Sequence, residues 1–286
     1  MARKPVSVPN GPPSPFLKWA GGKGQLAGHI LARLPAKSGT YYEPFIGGGA
    51  IFFTLVAEGR IKRAVLGDRN AALVELYEVV RDHVENLATL LSQHTHRHSE
   101  EYFYEVRAQD PTVLDAVQRA SRFIFLNRTC FNGLYRVNSK GRFNVPFGRY
   151  KNPRICDPEG LRNASRALQN VTLRLADFED VVAAARPGDA VYFDPPYYPL
   201  SRTSSFTAYD PYPFREPEHE RLAAVHRGLG ERGIFSLLSN SDCPYTRSLY
   251  AGLDVETVEA TRNINSVGTK RGKITELLVL ARPERV

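Results

Sequence analysis

The sequence predicts an α/β fold in which a largely parallel sheet is interrupted by a mostly helical insertion. Short apolar runs of strand length alternate with segments of helical periodicity from about residue 41. Helical periodicity then dominates residues 70–165, and the alternation resumes afterwards. Chains that alternate strands with helices build parallel sheets covered by helices. We therefore predict one domain from residues 16–69 and 166–286, and a second from residues 70–165.

Each predicted element corresponds to a stretch of the sequence. The strand-like stretches are TYYEPF, KRAVLGD, VTLRLA, DAVYFD, GIFSLLS, LDVETVEA and TELLVLA. Helices are predicted up to about Leu34, after the turn GGG, over NAALVELYEVVRDHVENLATLLSQ as one long helix, within 99–127 with a second segment from Pro111, and near 158–169, 178–185, 216–231 and 244–251. LYRVN and RFNVPF flank SKG and predict a β-hairpin inside the insertion.

The charge of the chain indicates an anionic partner. Lys and Arg number 38 against 30 Asp and Glu, a net charge of +8 over 286 residues. Nine of the cations fall in residues 116–156, which contain no acid: Arg119, Arg122, Arg128, Arg136, Lys140, Arg142, Arg149, Lys151 and Arg154. Aromatic residues interleave with them, some of which must belong to the core. A basic cluster of this kind favours nucleic acid as the partner.

Other features of the composition limit the class of protein. Three cysteines without a CxxC pair support neither a disulfide framework nor a zinc site, and we predict no metal. No apolar run has the length of a membrane span, and residues 1–15 lack a signal-peptide core. The proline-rich segment 1–15 predicts a flexible arm. We expect a reduced, cytoplasmic protein that acts without a membrane.

Two of three unusual clusters at predicted strand ends suggest a cofactor. EPFIGGGA follows the first strand and GDRN the second, and ligands of open α/β sheets bind at such ends. Gly47, Gly48 and Gly49 permit close approach of a ligand, and Asp68 is placed to accept bonds from ribose hydroxyls. Neither a dinucleotide fingerprint nor a Walker loop is present. An adenosine ligand without pyrophosphate fits, S-adenosylmethionine better than NAD. A tight turn and a helix cap are the structural alternatives.

The third cluster, Asp194-Pro195-Pro196-Tyr197, predicts chemistry on an amino group. Prolines have no N–H, so the segment offers acceptors without competing donors. A nucleobase amine held by these acceptors, with Tyr197 stacked on its ring, would keep a lone pair for attack on a methyl sulfonium. Methylation at cytosine C5 is disfavoured, because it needs a thiolate and no Pro-Cys pair occurs. An ordinary proline-terminated strand is the structural alternative.

Six ordered motifs between about residues 16 and 281 resemble the Dam-type DNA adenine methyltransferases. They are FLKWAGGK, YYEPFIGGGAIFF, VLGDRNAAL, NGLYRVNSKGRFNVPFGRYKNP, VYFDPPYYPLSRTSSFTAY and RGKITELLV. The nearest likeness is to GATC-modifying enzymes that accompany a restriction endonuclease, the DpnM kind. The resemblance implies a Rossmann-like S-adenosyl-L-methionine-dependent methyltransferase sheet whose insertion recognises the DNA target, in a bacterial, nucleoid-associated enzyme.

The resemblance also implies roles for individual residues at the cofactor. Trp19 and Lys23 would contact S-adenosylmethionine, Asp68 the ribose, and Asp194 both the cofactor and the target amine. Asp177 resembles the acid near the adenine ring, with a helix cap as the alternative. The first strand end adds Glu43, Phe45, Gly47 and Gly49 as cofactor candidates.

A second set of implied roles concerns double-stranded DNA. Arg136, Leu134 and Pro146 would face the groove, and Lys18 an outer guanine. Phe131 and Asn132 would fill the gap left by a flipped adenine, with Tyr150 as a further DNA candidate. A flipped base is required because an amine inside a duplex cannot reach the DPPY segment. Arg136 has a phosphate contact as its alternative role.

We therefore predict transfer of methyl to adenine N6 in double-stranded DNA, with GATC as the site. Two alternatives stay open at the level of sequence: a cytosine-N4 or RNA amino methyltransferase, and a catalytically inactive DNA-binding regulator. A nicotinamide dehydrogenase is a more distant third.

Overall fold

The computed structural model describes residues 11–19, 26–138, 140–200, 214–261 and 273–282. Within these residues the strands form one sheet in the order β3-β2-β1-β4-β5-β7-β6. The strands are β1 (Tyr41–Glu43), β2 (Ala64–Asp68), β3 (Val171–Leu175), β4 (Ala190–Phe193), β5 (Phe235–Ser241), β6 (Asp254–Thr261) and β7 (Lys273–Ala281).

The sheet is parallel from β3 through β5, and β7 runs antiparallel to both β5 and β6. The chain proceeds outward from β1 to β2 and β3, then returns to place β4 on the other side of β1. The predicted α/β class with a largely parallel sheet is confirmed. Because the strand order reverses between β1 and β4, a crevice opens at their carboxyl ends, where ligands bind in such sheets.

Helices cover both faces of the sheet. They are α1 (Ala27–Arg33), α2 (Ala50–Ala57), α3 (Ala71–Asp82), α4 (Val84–Arg97), α5 (Glu100–Ala108), α6 (Ala116–Thr129), α7 (Pro158–Leu168), α8 (Phe178–Val182), α9 (Glu216–Glu231) and α10 (Pro244–Leu249). Tyr41 and Tyr192 lie in one buried cluster, whereas their neighbours Tyr42 and Val191 lie in the other. Successive strand residues thus enter cores on opposite faces, as expected for a sheet buried on both sides.

The predicted long helix after Asn70 is wrong, because the chain breaks at His83 into α3 and α4. His83 has non-helical backbone angles (φ −132°, ψ 33°). The carbonyl of Arg81, which a continuous helix would bond internally, instead accepts from Ser165 Oγ and Gln169 Nε2, each at 3.0 Å. These partners come from α7 and the residue after it, so the break has a tertiary cause that local periodicity does not reveal.

The predicted hairpin within residues 134–147 is confirmed as a turn but not as a pair of strands. Isolated antiparallel bridges join Val137 to Phe143 and Cys130 to Phe147. At the turn, Asn138 N donates to Arg142 O at 2.9 Å. Pro146 has no N–H to donate to a ladder, and its carbonyl accepts from Phe131 N. Arg136, predicted on a strand, therefore lies on an irregular segment.

The N-terminal segment is described from Gly11, which lies against Asn163 of α7. The backbone carbonyl of Phe16 accepts from the Arg128 guanidinium at 2.8 Å. The segment that leads to Lys18 is thus joined to α6. The domain limits proposed from the sequence, including the arm over residues 1–15, remain predictions.

Candidate active site and DNA-facing insertion

Four predicted acids lie at the same edge of the sheet. Glu43 ends β1, Asp68 ends β2, Asp177 follows β3, and Asp194 directly follows β4. Parallel pairing aligns these strands in register, with Tyr41 opposite both Ala64 and Ala190. The structure therefore brings together the three strand-end clusters that the sequence singled out.

Glu43 is the most deeply buried of these acids, with 3% of its surface exposed. Tyr41 Oη donates to Glu43 Oε2 at 2.9 Å. Burial, with the nearby charge of Asp194 adding to it, raises the pKa of Glu43 to about 8. The side chain accordingly holds a proton at neutral pH until a positive charge arrives beside it.

The glycine turn is shaped by close approaches of aromatic side chains. Gly47 (φ 46°) and Gly49 (φ 68°) occupy the left-handed region, which favours glycine. A Cβ on Gly47 would lie 2.7 Å from the indole of Trp19, and one on Gly49 would lie 2.7 Å from Tyr77 Oη. Tyr77 Oη also donates to the Gly47 carbonyl at 3.1 Å. The absence of a Cβ at Gly47 therefore leaves space for the Trp19 indole to pack against the turn.

Phe45 and Asp177 both lie at the start of α8. Phe45 stacks on Phe178 with 5.7 Å between ring centroids. Asp177 caps α8 by accepting from Glu179 N at 3.2 Å, and its carboxylate pairs with Arg221 at 2.7 Å. The capping alternative is what the structure displays for Asp177, and its predicted place beside an adenine ring remains a proposal.

Asp68 has a local structural partner. Its Oδ1 accepts from Asn70 N at 2.9 Å, and Asn70 in turn caps α3 through Ala72 and Leu73. Asn70, rather than Asp68, is therefore the helix cap that the sequence left as an alternative. The contact of Asp68 with a ribose stays a prediction.

The DPPY segment is fixed from two sides by strands that the sequence reading did not include in the site. Ser239 Oγ donates to Asp194 Oδ1 at 3.0 Å, while Tyr197 Oη donates to Glu276 of β7 at 2.7 Å. Asn240 Oδ1 accepts from the backbone N–H of Tyr198 at 3.1 Å. Burial raises the pKa of Tyr197 well above its usual value, so the phenol remains a donor.

Ser239 and Asn240, together with the neighbouring Ser241, carry a signal in the sequence. The polar run Ser239-Asn240-Ser241 ends β5, and all three side chains are buried. Ser241 Oγ donates to the Tyr198 carbonyl at 2.6 Å. Buried polar groups require partners, so this run marks a bonded neighbour. Glu276 lies within the RGKITELLV motif, but its pairing with Tyr197 follows only from the sheet order.

The predicted DNA residues form a compact group around Lys18. Its Nζ lies 4.1 Å from the centre of the Tyr150 ring, and burial lowers the pKa of Lys18. Gly133 packs so closely on Lys18 that a Cβ there would approach the Lys18 Cβ to 2.6 Å. Phe131 is 51% exposed, and exposed Asn132 has left-handed backbone angles (φ 55°).

The remaining DNA candidates lie on the irregular hairpin. Leu134 is half-buried and Pro146 is exposed. Arg136 Nε donates to Asn144 Oδ1 at 2.7 Å, which restricts the guanidinium within the hairpin. The structure thus shows Arg136 restrained by a hydrogen bond to Asn144. Its role as base reader or phosphate contact remains a prediction.

The basic cluster predicts contacts with nucleic acid, but three of its nine cations are bonded to groups of the protein itself. Arg119 forms a bidentate salt bridge with Glu75, in which the shorter nitrogen–oxygen distance is 2.6 Å. Arg122 donates to the carbonyls of residues 106 and 107, and Arg128 to that of residue 16. Burial lowers the pKa of both Arg122 and Arg128. These three side chains stabilise the insertion instead.

The aromatic residues of the same stretch divide in a similar way. Tyr135, Phe123 and Trp19 pack as a cluster of three near-parallel rings, with Tyr135 4.5 Å from Phe123 and 6.0 Å from Trp19 between centroids. Phe143 is buried, and Phe147 packs against the core. The expectation that some of these aromatics belong to the core is confirmed, and the outward-facing group is smaller than the sequence suggested.

Some predicted residues lie outside the described residues: Lys23, the stretch SRTSSFTAY, and part of the RGKITELLV motif. Across the described ranges, no helix is both long and apolar enough to cross a membrane. In that same part of the chain, His, Cys, Asp and Glu side chains form no group of three or more that would hold a metal ion.

Comparison with known proteins identifies the family. Residues 19–264 match the family model described as D12 class N6 adenine-specific DNA methyltransferase. The chain is 44% identical to the type II methyltransferase M1.LlaDCHI of Lactococcus lactis subsp. cremoris, over 93% of this chain and 94% of that protein. It is 39% identical to the DNA adenine methylase of Escherichia coli (strain K12), over 94% and 95% of the two chains.

One solved structure, precorrin 8W decarboxylase of Methanobacterium thermoautotrophicum, is similar with a TM-score of 0.37 and 12% identity, over 90% of this chain and 89% of that one. The fold is established by the strand order instead of this distant likeness. The family model and the two relatives agree with the motifs at the strand ends. The chain belongs to the D12 class of N6 adenine-specific DNA methyltransferases, and it is an enzyme.

Proposed function

We propose that this enzyme transfers a methyl group from S-adenosyl-L-methionine to N6 of adenine within GATC in double-stranded DNA, after the adenine is flipped out of the helix. The observation that carries the proposal is the placement of Asp194 and Tyr197 directly after β4, beside the buried Glu43 at the end of β1. Acid and aromatic side chains thereby converge on the crevice in which an α/β sheet binds ligands.

The residues of the crevice fit S-adenosylmethionine. A glycine turn without Cβ atoms admits a ligand close to the backbone, and Trp19 lies against it. Asp194 provides negative potential that a sulfonium needs. Glu43, which burial keeps protonated, would add to that potential when the sulfonium charge favours its ionisation, and Asp68 suits a ribose. When bound, the cofactor supplies an electrophilic methyl group on sulfur.

The chain's own residues would orient and desolvate the adenine amine. The Asp194 carboxylate would accept a hydrogen bond from the N6 amino group, which keeps the nitrogen lone pair available. Ser239 holds Asp194 in place. Tyr197 supports the flipped ring by stacking, with its hydroxyl anchored on Glu276. Exposed Phe131 and Asn132 would occupy the space left in the duplex, which offsets part of the few kcal/mol that base flipping costs.

The proposal of GATC draws on the motif resemblance and on the names of the relatives, one a DNA adenine methylase and one a type II methyltransferase. A restriction endonuclease acting on the same site would be the partner in the second case, with no stable complex implied. We propose that the enzyme acts in the bacterial cytoplasm, on DNA of the nucleoid.

The test is incubation of unmethylated duplexes with the enzyme and labelled S-adenosylmethionine, followed by nucleoside analysis. A GATC duplex should yield labelled N6-methyldeoxyadenosine, while duplexes altered at one base pair of GATC should yield far less. Label in N4-methyldeoxycytidine would overturn the target atom, and equal labelling of all duplexes would overturn GATC. Preferential labelling of RNA would overturn DNA as the substrate.

A further inference from the structure

We propose that Asn127 is a positioning residue that couples cofactor binding to the opening of the DNA duplex. This inference rests on the proposed function. Asn127 lies on α6, and its side chain is completely buried (0% exposed). No motif role is assigned to it by the sequence reasoning.

The Asn127 amide bonds three main-chain groups, two of Lys18, which is 109 positions away, and one of Gly133, which is six positions away. Its Oδ1 accepts from Lys18 N at 2.9 Å, and its Nδ2 donates to Lys18 O at 2.7 Å and to Gly133 O at 3.0 Å. The amide thus uses its oxygen and both of its hydrogens. A buried amide satisfied in this way fixes its partners rigidly, because losing any one bond leaves a buried polar group unpaired.

The two segments that Asn127 joins belong to different parts of the proposed reaction. On one side, Lys18 is followed by Trp19, whose indole lies against Gly47 of the glycine turn that is proposed to bind the cofactor. On the other side, Gly133 completes the turn with the exposed residues Phe131 and Asn132.

A direct contact between Gly133 and Lys18 reinforces the link between the two segments. Gly133 packs on the side chain of Lys18, where an added Cβ would approach the Lys18 Cβ to 2.6 Å. The turn at residues 131–133 and the backbone that carries Lys18 and Trp19 therefore cannot shift independently while the Asn127 bonds are intact. A cofactor that orders Trp19 would also order the turn proposed to enter the duplex, and binding of DNA would favour the cofactor reciprocally.

The isosteric variant Asn127→Asp tests the coupling. It retains the shape and the acceptor for Lys18 N, but it places a carboxylate oxygen against the carbonyls of Lys18 and Gly133. The matched control is Thr129→Val on the same helix. Thr129 is equally buried, and its hydroxyl donates to the Phe125 carbonyl within the same helix at 2.6 Å. Loss of that hydroxyl therefore perturbs α6 without removing a bond to Lys18 or Gly133.

The measurement is the dissociation constant of S-adenosylhomocysteine, by calorimetry, with and without a saturating GATC duplex. Wild type and Thr129→Val should bind it at least about 5-fold tighter with DNA, at the lower end of typical couplings. Asn127→Asp should show a ratio below about 2-fold. Retention of the wild-type ratio in Asn127→Asp, or its loss in Thr129→Val, would overturn the inference.

Hydrogen exchange on the wild-type enzyme covers the case in which Asn127→Asp does not fold. S-adenosylhomocysteine alone should slow amide exchange at residues 131–134, and unchanged exchange there would overturn the coupling. Methylation by the wild type separates the two proposals. An enzyme that methylates adenine but shows no coupling contradicts only the role of Asn127, whereas one that does not methylate contradicts the proposed function.

Discussion

The crevice and the insertion both present conspicuous clusters of charged residues, but the fold uses the two clusters differently. The crevice acids lie at strand ends, where the register of the sheet determines their positions. In the insertion, Arg119, Arg122 and Arg128 are bonded within the protein. In this chain the acids at the strand ends are gathered at one edge of the sheet, whereas three arginines of the helical insertion bond carbonyls and an acid of the protein itself.

The largest effect is expected for Asp194→Ala. The variant removes the acceptor for the target amine, so kcat should fall by at least about 10²-fold, while DNA affinity is retained. Single-turnover methylation and fluorescence anisotropy measure the two quantities. The exposed acid Asp254, which lies on β6 and pairs with Arg282, supplies the control Asp254→Ala. Near-normal turnover of Asp194→Ala would remove this residue from the chemistry.

Asp68→Ala should weaken cofactor binding by about 1.5–3 kcal/mol, the usual value for a hydrogen bond to a charged group. DNA affinity should change little, because Asp68 lies at the sheet edge and bonds Asn70 locally. Calorimetry with S-adenosylhomocysteine measures the effect. An unchanged dissociation constant would leave Asp68 with only its turn-forming role.

Arg136→Ala separates a base reader from a phosphate contact. Held by Asn144, an arginine that reads guanine should contribute about 1–3 kcal/mol of discrimination. The variant should then methylate duplexes altered at one base pair of GATC. Methylation rates across a panel of such duplexes provide the measurement, and a uniform loss at all sites would assign Arg136 to a phosphate.

Glu43 should make the stability of the cofactor-free enzyme depend on pH. Its pKa is about 8 in the fold against an ordinary 4.5, so the folded state retains a proton that the unfolded chain releases. The contribution of Glu43 to the free energy of unfolding is complete below about pH 4.5. It is lost as the pH rises through about 8, by up to about 1.4 kcal/mol for each pH unit.

Urea unfolding of wild type and Glu43→Gln between pH 5 and 8 measures this difference. Burial lowers the pKa values of His94, His219 and His226, which acts in the opposite direction but equally in both proteins. The stability of wild type relative to Glu43→Gln should therefore fall with rising pH. A difference independent of pH would mean that Glu43 is ionised in the fold.

The smallest effect concerns the exposed cations of the insertion. Lys151→Ala should reduce the slope of log affinity against log salt by about 0.9, the value for one phosphate contact. Arg119→Ala should leave that slope unchanged and lower the free energy of unfolding, since Arg119 pairs with Glu75. Equal slopes for the two variants would remove the distinction between external and internal cations.

The sequence predicted the sheet and the crevice because both depend on local patterns. Apolar runs define the strands, and their ends place Glu43, Asp68 and Asp194. The break at His83 escaped prediction because Ser165 and Gln169 compete for a helix carbonyl from a distant helix.

The partners that hold the site could be predicted only in part. Glu276 reaches Tyr197 only because β7 inserts between β5 and β6, an order that no local pattern encodes. Asn127, likewise, bonds a residue 109 positions away. The residues proposed to carry the chemistry stand out in the motifs, whereas the bonds that hold them are formed by tertiary contacts.

The central claim is that the insertion delivers one adenine to a crevice already formed by the sheet. The most direct test places 2-aminopurine either at the adenine of GATC or at an adenine outside the site, in duplexes bound by the wild-type enzyme with S-adenosylhomocysteine. We expect fluorescence to rise strongly only at the GATC position, because the flipped base loses its stacking. No rise at that position, or equal rises at both, would contradict selective delivery of the target adenine.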